Sequence, residues 1–186
     1  MKDLFVLTAD ADMQAVFRSV LARPDALGIR AVDFDVDRHY RRDSGVYTEG
    51  PEFLRDERKS QDFHRFILAL DHHGSGCHKR PVDCAGILQT RLDSCSFTDR
   101  SAVIVIEPEL EAWLAQDQAV IGDSPDREGV TDPKRQLEQL FLKRHHRKPR
   151  PVDFEQIASR ANLELWNSSP SFHLLKETLQ NWFPRP

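Results

Sequence analysis

Three apolar runs in this 186-residue chain lead directly into carboxylates, and those acids are the residues best suited to do chemistry. Asp10 and Asp12 follow Leu4-Phe5-Val6-Leu7, Asp71 follows Phe66-Ile67-Leu68-Ala69-Leu70, and Glu107 follows Ala102-Val103-Ile104-Val105-Ile106. Glu109 and Glu111 come on the next helical turn. Carboxylates brought together repel one another until a proton or a cation neutralises the group. A divalent metal, Mg2+ or Mn2+, held through one or two carboxylates with water and a substrate phosphate, meets that need. The competing reading is local: aspartate after a strand is a favoured helix N-cap, and Asp10 or Asp12 can serve that role alone.

Two further groupings carry weaker signals. His72, His73, Cys77, His78 and Cys84 fall within thirteen residues and invite a zinc site. The Cys77-x6-Cys84 spacing matches no tight zinc knuckle, so a glycine-hinged loop with a buried thiol is the preferred reading. Gly74-Ser75-Gly76 lacks the spaced glycine and the Gly-Lys-Ser/Thr ending of a phosphate-binding loop. The strongest basic run is Lys143-Arg144-His145-His146-Arg147-Lys148-Pro149-Arg150. Cations there suit a helix C-terminus electrostatically. The functional alternatives are an acidic protein partner or salt-sensitive contact with DNA phosphates through Lys143, Arg144, Arg147, Lys148 and Arg150.

The elements that must position these residues alternate. Met13, Val16, Phe17, Val20 and Leu21 have helical spacing after the first strand, and Pro24 limits that helix. Ile29 to Asp37 alternates apolar residues with Asp33, Asp35 and Asp37, the pattern of an edge strand. Residues 38–50 read as a loop and 51–59 as a short polar helix. Residues 66–70 and 102–106 are continuous apolar runs, expected to be central strands covered on both faces. A helix is expected from Pro81 to Asp93 between them. Strand–helix alternation of this kind builds a mainly parallel sheet. After residue 118 the strands stop. A Pro/Gly/Asp linker from Asp123 to Pro133 leads to three helices expected to start near Asp132-Pro133, Asp153 and Ser169-Pro170. The last places Phe172, Leu175, Leu179, Trp182 and Phe183 on one face, which should pack on the core. Trp113, Trp166 and Trp182 have apolar neighbours at helical spacing and read as core.

Composition narrows the classes. The chain is 39% hydrophobic and 30% charged, with a net charge of −4 and a mean hydropathy of −0.56. No stretch approaches the roughly 18 consecutive apolar residues of a membrane helix. Met1-Lys2-Asp3-Leu4 does not open a signal peptide, and three cysteines suit a reducing cytoplasm rather than a closed disulfide framework. Residues 1–118 carry 15 Lys/Arg against 21 Asp/Glu, and residues 119–186 carry 11 against 9. The chain therefore reads as an acidic α/β core over 1–118 with a mildly basic helical C-terminal extension over 119–186, packed as one unit.

These features resemble the Toprim fold of topoisomerases, DnaG-type primases and overcoming-lysogenisation-defect nucleases. Glu109-Leu110-Glu111-Ala112-Trp113-Leu114-Ala115 is similar to the E-x-E-A-W-L-L motif of small Toprim-like bacterial proteins, and Ile157-Ala158 through Ser169-Pro170-Ser171-Phe172 to Leu179 is similar to their helical ending. The chain also resembles small components of methylation-associated antiphage defence systems. The resemblance implies a Toprim-like sheet of four strands, a divalent-metal-dependent nuclease-type site, other defence proteins as partners and DNA as a possible ligand. It implies Asp10, Asp71 and Glu111 as catalytic residues, with Asp10 as the general acid/base, and Asp10, Asp12, Asp71, His73, Glu109 and Glu111 as metal ligands. The pattern departs at two points. Asp10-Ala11 stands where the family has Glu-Gly, and Asp71-His72-His73 stands where it has Asp-x-Asp. A carboxylate one methylene shorter reaches less far, and a histidine nitrogen suits manganese or zinc better than magnesium. A catalytically degenerate binding or regulatory subunit is the alternative.

Overall fold

The computed structural model describes residues 1–56, 59–117 and 132–186. Four strands form an all-parallel sheet: β1 (Lys2–Thr8), β2 (Phe34–Arg38), β3 (Phe63–Asp71) and β4 (Ser101–Ile106), in the order β2-β1-β3-β4. β1 pairs with β2 through Leu4–Phe34 to Thr8–Arg38, and with β3 on its other side through Lys2–Phe63 to Leu7–Leu68. The β3–β4 ladder runs from Phe66–Ser101 to Asp71–Ile106. Chain order reverses between β1 and β3, the kind of switch point outside which open α/β sheets bind ligands. The α/β class and parallel sheet agree with the sequence reading.

The central strands explain their own composition. In β1, Leu4 to Leu7 are all buried, and in β3 Phe66 to Leu70 are fully inaccessible. The alternating segment ends in β2 as an edge strand, as its charged face implies. β4 is also an edge strand, which corrects its reading as a central one. Its Val103 to Ile106 are nonetheless buried because helices α5 (Pro81–Leu92) and α10 (Pro170–Trp182) pack on it. Burial of both faces, rather than a pairing partner on both sides, makes the run apolar.

Helix α1 (Ala11–Leu21) buries Met13, Val16, Phe17, Val20 and Leu21, the five residues with helical spacing. A four-residue helix, α2 (Pro24–Leu27), follows and ends at Gly28 with φ 73°, a left-handed position glycine fills without penalty. The loop expected over 38–50 is instead the first part of a single helix, α3 (Arg42–Asp56), with Pro51 inside it. Proline removes the N–H that would bond the Tyr47 carbonyl. Arg91 of α5 supplies the missing donor: Nη1 donates to Tyr47 O at 2.6 Å and Nη2 to Thr48 O at 2.7 Å. A short helix α4 (Lys59–Asp62) precedes β3.

The core ends with α6 (Glu111–Leu114), and the extension holds α7 (Pro133–His145), α8 (Pro151–Arg160), α9 (Leu163–Trp166) and then α10. Asp132 caps α7 by accepting from Arg135 N at 3.0 Å, and α10 starts at Pro170, both as expected. α8 begins at Pro151, with Asp153 at its third position rather than as its cap. The Asp123–Pro133 linker lies outside the described residues up to Thr131. The extension is joined to the core through α1–α8 packing and an aromatic cluster in which Trp113 meets Phe17, Trp166 and Phe172 at 5.6, 6.2 and 5.1 Å. Trp113 and Trp166 are fully buried, and Trp182 is partly so.

Candidate functional site

The carboxyl ends of β1 and β3 bring together acids that lie far apart in sequence. Asp10, just past β1, is the N-cap of α1: its Oδ1 accepts from Met13 N at 2.9 Å. Asp12 sits in the first turn of the same helix, half-buried. Burial, then the charge of Asp10, pushes its carboxyl up to about 6, while Lys134 and Arg42 pull it down. The capping reading of Asp10 holds, and its charge also acts on Asp12, Asp43 and Asp71.

Asp71 ends β3 and is the most deeply constrained of these groups. Its Oδ1 is buried with no hydrogen-bond partner. Burial pushes its carboxyl well above the usual range, reinforced in turn by Asp43, Glu111, Asp10 and Glu109. A buried polar atom without a partner is costly, and several like charges around it add to the cost.

Asp43 was not among the residues singled out from sequence. It lies in the first turn of α3, and its Oδ1 accepts from Asp71 N at 2.7 Å. Burial raises its carboxyl, while the hydrogen bond from Asp71 N lowers it. The loop after β3 passes so close that a Cβ at Gly74 would lie 2.5 Å from Asp43 Oδ2. Glycine is needed there for close approach. In the sequence Asp43 stands in a polar Arg-Arg-Asp-Ser-Gly stretch with no apolar period to place it, so no signal distinguished it.

Glu111, in the first turn of α6, is only 8% exposed. Burial pushes it up to about 7, with Glu109 and Asp12 acting in the same direction and Lys134 opposing. Lys134 is the second residue of α7 and the second site residue the sequence did not reveal. Its Nζ lies 3.3 Å from Glu109 Oε2. Glu111, Glu109 and Asp71 raise its ammonium above the usual lysine value against the opposing effect of burial. The expected helix start at Asp132-Pro133 located this lysine on a helix, but not over the acids.

The remaining residues expected at the site are placed differently. His73 is exposed at the surface, and its backbone N–H donates to Pro108 O at 3.2 Å. Glu107 is exposed and precedes a cis peptide bond to Pro108. Cys77 and Cys84 form a disulfide, which corrects both the reading of a buried thiol and the expectation of reduced cysteines, and removes both as thiolate ligands; Cys95 is free. Among the described residues, no three carboxylate, imidazole or thiol groups form a ready metal cage. What the arrangement offers is two carboxyls, Asp12 and Glu111, whose proton affinities lie near neutrality, where general acids and bases work best, beside the unpartnered oxygen of Asp71.

The basic run divides in two. Arg147 donates twice to the nearly buried Asp153, Nη1 to Oδ2 at 2.6 Å and Nη2 to Oδ1 at 2.8 Å. Lys148 Nζ donates to Glu138 Oε1 at 3.1 Å. Lys143, Arg144 and Arg150 are exposed. No helix among the described residues is long and apolar enough to cross a membrane. No family model, curated protein or solved structure matches this chain.

Proposed function

We propose that the chain is a Toprim-like component of a bacterial antiphage defence system, working in the cytoplasm with other defence proteins, and that its acidic edge binds a divalent cation for phosphodiester chemistry on nucleic acid. One observation carries the reading: Asp71 Oδ1 is buried without a hydrogen-bond partner while Asp43, Glu111, Asp10 and Glu109 all act on it. Carboxylate oxygens are hard donors, so Mg2+ or Mn2+ fits the set. Asp71 and Glu111 would hold the ion, with Asp12 and Glu109 at its margin. A bound ion would stabilise charge building on a phosphate in flight. Asp12, at the margin and moved up to about 6, would be left to hold or release a proton, and Asp10 keeps α1 in register through its cap.

A binding or regulatory role is favoured by a different observation. Asp10 is committed to its cap, and no ready cage of three ligands exists among the described residues. Melting curves in chelator, magnesium and manganese at constant ionic strength separate the two. A cation that binds only the folded protein stabilises it by about 2.7 kcal/mol at a hundredfold excess over its Kd, a rise of roughly 5–10 °C for a chain this long. Asp71→Ala is expected to abolish the rise. Asp99→Asn is the better control than alanine, because Asp99 has φ 58° and asparagine tolerates that conformation. Coincident wild-type curves in all three conditions would remove the cation and leave the binding-subunit reading.

A further inference from the structure

Resting on that cation reading, we infer that Lys134 is an intrinsic counter-ion that competes with the divalent cation, so that the C-terminal helical extension controls metal loading of the core. Lys134 reaches the acidic edge from outside the core. It belongs to α7, outside the sheet and its crossover helices, yet its ammonium stands 3.3 Å from Glu109 Oε2. Its charge is felt by five acids: it lowers the proton affinity of Asp12, Asp43 and Glu111, and Glu111, Glu109 and Asp71 in turn hold its ammonium above the usual lysine value. Arg42, at the start of α3, is the other cation acting there, on Asp12.

A cation already at the acidic edge repels a second one and so weakens its binding. Lys134 is paired with Glu109, while Asp71 Oδ1 has no hydrogen-bond partner. Lys134 is also half exposed at its side chain, so its contact with Glu109 is a weak one, easily exchanged for solvent. Those two properties suit a displaceable plug: strong enough to lower cation affinity, weak enough to yield to a cation bound together with a phosphate. Helix α7 starts at Pro133, held by the Asp132 cap, so a shift of the helix start carries the ammonium with it.

The test titrates manganese(II) alone into wild type, Lys134→Met and Lys134→Arg, followed by calorimetry at fixed ionic strength. Removing a single charge of opposite sign from a partly solvated acidic pocket should tighten binding by roughly three- to tenfold. Lys134→Met should therefore bind more tightly than wild type, and Lys134→Arg should stay near wild type. Binding by Lys134→Met alone, with none detectable in wild type, would support the inference in its strongest form. Equal or weaker binding in Lys134→Met, with clear binding in wild type, overturns the counter-ion role and leaves the cation reading standing. No binding in any of the three overturns both. Melting of each variant in chelator confirms that the folded protein is being compared.

Discussion

At the scale of single residues, Glu111 shows how the sheet edge sets chemistry. A glutamate in solution loses its proton near 4.5, whereas burial in the first turn of α6 moves this one up to about 7. The folded chain then holds a proton between those values that the unfolded chain has released. The stability that Glu111 contributes is fully present below about 4.5, falls as pH rises towards 7 and is gone above it. Taken with its 8% exposure, the full fall is on the order of 3 kcal/mol. Asp12, moved up to about 6, adds to the same slope at slightly lower pH. In chelator, the wild-type melting temperature is expected to drop between pH 5 and pH 7.5. Glu111→Gln, which keeps the shape and never ionises, should make that drop shallower and exceed wild type at pH 8, the remaining slope belonging to Asp12, Asp43 and Asp71. A variant with the wild-type slope would mean that Glu111 ionises freely in the folded protein. The strand-end acids themselves were legible in the sequence, because an apolar run of strand length fixes where its carboxyl end lies. Asp43 and Lys134 were not, since the contacts that make them matter come from α3 and α7, elements with no period pointing at the site.

At the scale of elements, α3 is the instructive departure. Pro51 reads as a helix start, and the polar stretch before it reads as a loop. In the fold the helix runs straight through the proline because Arg91, on the neighbouring α5, bonds the carbonyls of Tyr47 and Thr48 and also reaches Glu52 Oε2 at 2.5 Å. Only a tertiary partner satisfies the orphaned carbonyl, and no local pattern encodes it. The same helix carries Asp43 at its start, so this suture helps fix a site residue. Arg91→Met should lose about 1.5–3 kcal/mol, the usual range for hydrogen bonds from a charged group. Pro51→Ala restores the N–H that Tyr47 lacks, so the loss should be smaller in that background. Chemical denaturation of the four proteins in the double-mutant cycle measures this directly. Additive losses would show that Arg91 acts through Thr48 and Glu52 rather than through the Tyr47 carbonyl. β4 teaches the complementary lesson. Its hydrophobic run announced burial on both faces, which α5 and α10 provide, but strand order depends on crossover paths that composition does not record.

At the scale of the whole molecule, α7 links two regions of opposite charge. Lys134 stands at the acidic sheet edge, and Arg144 lies ten residues further along the helix, about 15 Å away at a rise of 1.5 Å per residue. Towards and beyond that end of the helix, Lys143, Arg144 and Arg150 are exposed. If those three contact phosphates, DNA affinity must fall as salt rises, with a slope of about 0.9 in log K against log salt per contact. Substituting all three by glutamine should lower the magnitude of that slope by about 2–3, leaving the melting temperature nearly unchanged because the side chains are exposed. Arg147→Gln should do the reverse. It removes both donors to Asp153, which is 8% exposed and also accepts from Arg150 N at 2.7 Å, and so should destabilise by about 1–3 kcal/mol with the slope intact. The pair of outcomes separates a phosphate-binding surface from a helix-capping network within one eight-residue segment. An unchanged slope in the triple variant removes this segment from nucleic-acid binding. A reduced slope in Arg147→Gln would show instead that the Asp153 pair opens on binding, and that the arginine leaves its cap for a phosphate.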